Sequence, residues 1–245
     1  MEKYGVRTTA KKMLKTKNMM RLVMIGLLVS LLLLSIAYAT VWFANQAGRF
    51  TVNLDPEAFS KYGLSISENW EFNDPTVMLE GSAINNMDNI TESWLPKDKD
   101  LDKGEGSHNG ENYIAYTFYI RNSGTENIDY YTSIDITSSA LGTENAIRVK
   151  VFENGNETTY GKAPLAGTEQ NEKSRFAVDK TFLTDEKVME TTFKGFKSGQ
   201  INRYTVVIWL EGEDPECVDK ILGGEVKLSM NFHIIDKEAG TGELV

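Results

Sequence analysis

The chain is poor in the residues that most often carry chemistry. Its 245 residues include one cysteine, Cys217, two histidines, His108 and His233, and five prolines. A lone cysteine makes no intrachain disulfide, which excludes a disulfide-stapled domain. Cys217 reads as a small buried apolar residue, with pairing between chains or thiol chemistry as the alternatives. The two histidines have no metal-ligand spacing: HExxH, HxH and CxxC are all absent. The G-x-S-x-G elbow, the P-loop and the dinucleotide fingerprint are missing too. Gly104-Glu105-Gly106 lacks the strand-turn-helix setting that a phosphate cradle needs. Both histidines read as surface residues, so no catalytic residue and no cofactor is expected. Internal repeats are also lacking.

Charge is absent from one long stretch and unbalanced elsewhere. Leu22 to Phe43 contains no charged side chain. About 20 apolar residues suffice to cross a bilayer as a helix. Before this run stand Lys3, Arg7, Lys11, Lys12, Lys15, Lys17 and Arg21, with Glu2 the only acid. Basic residues stay on the cytoplasmic side, which directs everything after the run across the membrane. The first 21 residues carry +6 against −9 for the whole chain, leaving −15 on residues 22–245. Such an acidic exported portion is unsuited to nucleic acid, whose partners present Lys/Arg patches.

The leader has two readings. Small residues after an apolar core mark a signal peptide, and Ala37-Tyr38-Ala39 fits the A-x-A pattern, with Ala44 a second option for cleavage by a signal peptidase. Retained, the same run is a transmembrane helix with Trp42 and Phe43 at the interface. The expected organisation is therefore a basic cytoplasmic leader over 1–21, a signal peptide or membrane helix over 22–44, and an extracytoplasmic domain over 45–245. That domain is expected at the cell surface or outside the cell, or single-pass anchored with its C-terminus outside.

The exported part alternates apolar and polar residues, the mark of half-buried strands. Short strands are expected at Arg49–Leu54, Tyr62–Ser67 and Thr76–Glu80. A polar surface loop follows from Asn85 to Asn112, partly ordered by Met87, Ile90, Trp94 and Leu95. Stronger strands lie at Asn112–Asn122, Ile128–Thr137, Ala146–Glu153 and Ile201–Glu211. A last one spans Glu225–Ile235. Asn154-Gly155 is the dipeptide of two-residue hairpins, which makes Thr158–Gly161 the returning strand. The stretch from Pro164 to Lys187 is polar, with Phe176, Val178, Phe182 and Leu183 as anchors. One or two helical turns are expected over Pro215–Leu222, capped by Asp214. The fold class is all-β: an antiparallel, jelly-roll-like β-sandwich behind one N-terminal hydrophobic helix.

Two surfaces are candidates for binding. The acidic turn Glu211-Gly212-Glu213-Asp214-Pro215-Glu216, with Asp219 close by, offers oxygen ligands for Ca²⁺ at Glu213, Asp214, Glu216 and Asp219. Its spacing is not that of an EF-hand, and a solvated capping turn is the simpler reading. Tyr113, Tyr116, Phe118, Tyr119, Tyr130 and Tyr131 are candidates for a sugar-binding platform, although strand periodicity sends half of them inward.

Three segments carry a family resemblance. The leader ending in Ala37-Tyr38-Ala39-Thr40-Val41-Trp42-Phe43-Ala44-Asn45 resembles the export signals of the TasA/camelysin family of Firmicutes. Residues Tyr116–Gly124 resemble that family's aromatic strand, and Val226–Phe232 its last strand. The resemblance implies a jelly-roll domain, a dedicated signal peptidase and cell-surface matrix fibres built by self-assembly. Some members are classed as metallopeptidases, but this chain has no zinc motif. The leading expectation is thus an exported structural subunit of a matrix or fibre. A membrane-anchored module binding a glycan or protein stands second, and an exported metallopeptidase third.

Overall fold

A computed structural model of the chain describes residues 10–44, 49–84, 86–165 and 178–235. The chain divides into two compact units, residues 1–46 and 47–245. The described residues of the first form one helix, α1 (Ala10–Ala44). Its Met19–Tyr38 segment is long and apolar enough to cross a bilayer, with a mean hydropathy of 2.4 and no buried residue. The helix begins well before Leu22, so Lys11 to Arg21 are its first turns. Ala37, Ala39 and Ala44 all fall within its last eight residues.

The second unit is a β-sandwich with one mixed five-stranded sheet and a second mixed sheet facing it. The first sheet has the order β10 (Lys187–Phe196), β6 (Ile128–Ser139), β12 (Val226–Ile234), β1 (Phe50–Leu54), β3 (Met78–Glu80). The second runs β2 (Leu64–Ser67), β5 (Tyr113–Asn122), β11 (Ile201–Leu210), β7 (Ile147–Glu153), β8 (Asn156–Gly161), β9 (Lys180–Thr181), with β4 (Gly106–Ser107) also beside β5. The sequence suggests an antiparallel sandwich, but two strand pairs are parallel. β1 runs parallel to β12, Phe50 facing Leu228 and Leu54 facing Phe232, and β8 runs parallel to β9. The reason lies in where β1 starts. It enters at the end where β12 also begins and fills the slot between β12 and β3.

Alternation places the core. Phe50, Val52, Tyr116, Phe118, Tyr130, Tyr204 and Phe232 are all buried between the sheets. Phe118 meets Phe232 edge-on across the gap, with ring centroids 5.9 Å apart, and stacks on Tyr204 at 5.6 Å. Such pairs add about 0.5–1.5 kcal/mol beyond the area they bury. The buried hydroxyls are satisfied in one chain. Asn202 Nδ2 donates to Tyr130 Oη at 2.7 Å, the Tyr130 and Tyr204 hydroxyls are 2.7 Å apart, and Tyr204 donates to Glu153 Oε1 at 2.7 Å. This chain ties the two sheets together through the core. The Asn154-Gly155 hairpin forms as expected, both residues having positive φ, 52° and 84°. Both sheets and their core are drawn from residues 49–235, so the unit is complete without α1.

Three elements differ from the sequence reading. Pro56–Tyr62 forms a short helix, α2. Asp55 caps it by accepting from Glu57 N at 2.7 Å, and Gly63 ends it at φ 71°. β10 has no counterpart in the alternation, because bulges between Lys187 and Met189 and between Phe193 and Phe196 break its period. Val188 and Met189 are consecutive and both buried. Third, the 86–112 segment is a covering layer rather than a surface loop. It holds a 3-10 turn at Glu92–Trp94, the helix α3 (Asp98–Leu101) and β4. Ile90 and Leu101 pack with Ala115, Phe152, Val207 and Trp209 on the outer face of the second sheet. Trp94, one of the expected anchors, is 73% exposed. Phe176, Asn85 and the tail from Asp236 lie outside the described residues.

Candidate functional site at one end of the sandwich

β1 starts, and the β6–β7 and β11–β12 connections run, at the same end of the sandwich. A cavity of about 380 Å³ opens there between the sheets. Its walls include Ile114, Ile147 and Ile208 from the second sheet and Val226 from the first; Ile84 and Ile221 come from loops. Two loops lock together to form its rim. Ala140 N donates to Glu225 O at 2.9 Å, Gly224 N to Ile221 O at 2.9 Å, and Thr143 Oγ1 to Ala140 O at 2.8 Å. Gly224 has no room for a side chain: a Cβ would lie 1.9 Å from Thr143 Oγ1 and 2.8 Å from Ala140 O.

The acidic turn lies at this end as well, but its carboxylates have protein partners. Asp214 Oδ2 is 2.5 Å from Nη2 of Arg148, a fully buried cation. Asp214 Oδ1 accepts from Glu216 N at 2.8 Å, and Asp214 O accepts from Cys217 N at 3.0 Å. Asp214 therefore caps a tight turn and not a helix. Among the described residues of 215–222 the one helical turn is the 3-10 turn Asp219–Ile221, preceded by Val218 with no side-chain cap. Burial pushes the Asp214 carboxyl up to about 6. A hydrogen bond with the Glu216 side chain pushes the same way, and Arg148 pulls back. Glu216 is itself buried and accepts from Leu165 N at 3.2 Å. Glu211, with no exposed surface, accepts from Trp209 Nε1 at 3.0 Å, Glu92 N at 3.2 Å and Glu213 N at 3.1 Å.

Of the four Ca²⁺ candidates, Asp214 and Glu216 thus meet through a hydrogen bond, Glu213 is half-buried beside them, and Asp219 is exposed. Among the described residues no group of three or more His, Cys, Asp or Glu is placed to hold a metal ion. Cys217 is half-buried and accepts from Asn89 Nδ2 at 3.5 Å, and burial pushes its thiol up. A raised thiol is a poor nucleophile near neutral pH.

His108 Nδ1 faces Gly106 O at 3.0 Å and Nε2 faces Leu101 O at 2.9 Å, so its ring braces the covering layer. His233 points outward, 3.8 Å from Asp55 and beside Tyr131. The aromatic platform does not assemble. Tyr116, Phe118 and Tyr130 belong to the core, while Tyr113 packs under the covering layer. Tyr119 is buried against Trp70, and Tyr131 lies on the first sheet, donating to Glu190 at 2.6 Å.

The charges that alternation assigned to solvent on β7 are buried by the covering layer. Lys150 Nζ is 2.8 Å from Glu92 and 3.0 Å from Asp98. Burial opposes its ammonium form, but the two carboxylates prevail and hold its pKa above the ordinary value. Arg203 pairs with Asp102, whose Oδ1 accepts from Thr205 Oγ1 at 2.9 Å. Nothing in the pattern Ile147-Arg148-Val149-Lys150-Val151 announces this, since a third layer is invisible to a period of two.

No family model and no curated protein matches the chain. Among solved structures it is similar to the β-glucosidase of Kluyveromyces marxianus. The glucose complex is 14% identical with a TM-score of 0.22, covering 76% of this chain and 17% of that one. The selenomethionine-labelled form is 15% identical with a TM-score of 0.23, covering 68% and 17%. The chain thus spans about a sixth of the enzyme's length, and at these scores the likeness bears on neither fold nor activity.

Proposed function

We propose that the chain is an exported cell-surface protein whose sandwich assembles with further copies of itself, as a subunit of an extracellular matrix or fibre. β1 is the observation that carries this reading. It is the first strand after the apolar helix, and it sits inside a sheet, bonded to β12 on one side and β3 on the other. Phe50, Val52 and Leu54 fill the core from it. A five-residue strand at the head of a domain, joined to its sheet without a hairpin, is suited to exchange between copies. Pairing of sheet edges is the weaker route. β3, β9 and β2 are short, and β10 is bulged twice and carries Lys187 and Lys194, all devices that blunt an edge. The resemblance of three segments to the TasA/camelysin family agrees with export by a dedicated signal peptidase and with assembly.

Intact mass and microscopy test the reading together, after expression in a Gram-positive host and separation of membrane from medium. A product lacking residues 1–39 or 1–44 in the medium, forming filaments under negative stain, is the expected result. A full-length product confined to the membrane, with a domain that stays monomeric at high concentration, would overturn it.

A further inference from the structure

The cavity at the end of the sandwich has no role in strand exchange: no residue of β1 lines it. We propose that it is a binding site for a single unbranched alkyl chain bearing a cationic head. Three observations point to that ligand. The first is the size and character of the space. About 380 Å³ lies within the range of small-molecule sites, which are concave, mostly apolar and edged by a few polar groups. Here the walls are mostly branched aliphatic side chains, with Met87 and Trp209 beside them, and Asn86, Thr143 and Glu225 supply the polar groups. Its apolar walls favour an apolar guest.

The second is that the cavity is built to stay open. The β6–β7 loop turns through Leu141 and Gly142 at φ 58° and 79°, conformations that cost a non-glycine residue such as leucine. Gly224 then packs so closely on Thr143 and Ala140 that a side chain there would have to push the two loops apart. The loops on either side of the mouth are therefore fixed against each other, and the opening is preformed. Leu222 lines the mouth with 73% of its surface exposed, continuing the apolar wall outward.

The third is charge. Among the described residues Glu225 is the only charged one lining the space, and no ion pair to it is found among them. A carboxylate at the edge of an apolar slot attracts an ammonium head and repels a carboxylate head. The chain would enter between the sheets, and its head would stop at Glu225.

Calorimetric titration of the domain from Ala47 onward tests this, using dodecylamine, dodecan-1-ol and dodecanoate below their aggregation concentrations at neutral pH. Dodecylamine is expected to saturate at one per chain and to bind about five- to tenfold tighter than dodecanoate, with dodecan-1-ol between them. E225K should reverse that order without altering the circular dichroism, and I84W, which fills the space from a loop, should weaken all three. Absence of saturable binding, or an order unchanged by E225K, would overturn the proposal. So would self-association abolished by I84W in a domain that binds none of the three, an outcome that would give the cavity to a second copy.

Discussion

Arg148 and Asp214 offer the sharpest energetic test of the covering structure. Arg148 is fully buried and Asp214 nearly so, with Nη2 and Oδ2 2.5 Å apart. Charges in this setting gain from each other but lose their water, so the intact pair need not stabilise the fold much. Removing Asp214 is different, because it takes from the buried Arg148 the carboxylate 2.5 Å from its Nη2. D214A should therefore cost about 3–5 kcal/mol, a large share of the roughly 5–15 kcal/mol that holds a domain together. With a urea slope of about 2 kcal/mol/M, the midpoint falls by about 2 M. R148M should cost less, since the Asp214 carboxyl can then keep its proton. Urea unfolding followed by tryptophan fluorescence measures both. A D214A penalty below about 1 kcal/mol would refute the reasoning.

The same pair makes stability depend on pH. Asp214 titrates near 6 when folded and near 3.9 unfolded, so the folded form holds its proton over the intervening range. The folded state then binds more protons than the unfolded state, and stability falls as pH rises from about 4 to about 6. D214N should flatten that slope in urea melts run across the range. Y130F removes the hydroxyl between Asn202 and Tyr204 and should cost about 1–3 kcal/mol, measured by the same melts, because two buried partners are left wanting. L101A should cost about 2–5 kcal/mol and raise amide exchange in residues 98–108 first, because Leu101 anchors the covering layer. G224A should cost about 1–3 kcal/mol in a thermal melt, since its Cβ meets backbone oxygens at 2.8 and 2.9 Å.

The strands with an unbroken period of two were legible in the sequence: β5, β6, β7, β11 and β12 lie within two residues of where alternation puts them. So was the apolar helix, and so was the Asn154-Gly155 turn, whose chemistry is local. What alternation missed has physical causes. β10 is bulged, so its inward residues are not spaced by two. α2 was signalled by Asp55-Pro56 and Gly63, a cap, a first-turn proline and a stop, but the apolar residues around Tyr62 suggest a strand. The parallel placement of β1 depends on contacts between residues nearly 180 apart in the chain, which no local pattern encodes. The buried ions were illegible for a related reason: Arg148 and Lys150 sit where an exposed face is expected, until residues 86–112 and 211–217 fold over them. The cavity was equally hidden, because its lining comes from five separate stretches of chain.

Exchange of β1 is the central claim, and cysteine trapping tests it most directly. Thr51 and Ser229 are register partners on β1 and β12, and neighbouring strands lie within disulfide reach. T51C and S229C would be made separately in a C217S background, mixed before assembly and oxidised. Exchange predicts a disulfide joining a T51C chain to an S229C chain, seen as a dimer on non-reducing gels. If β1 remains in its own sandwich, the mixture yields no such dimer, only the T51C/S229C double variant closes a disulfide, and it does so within one chain; that result would contradict the account.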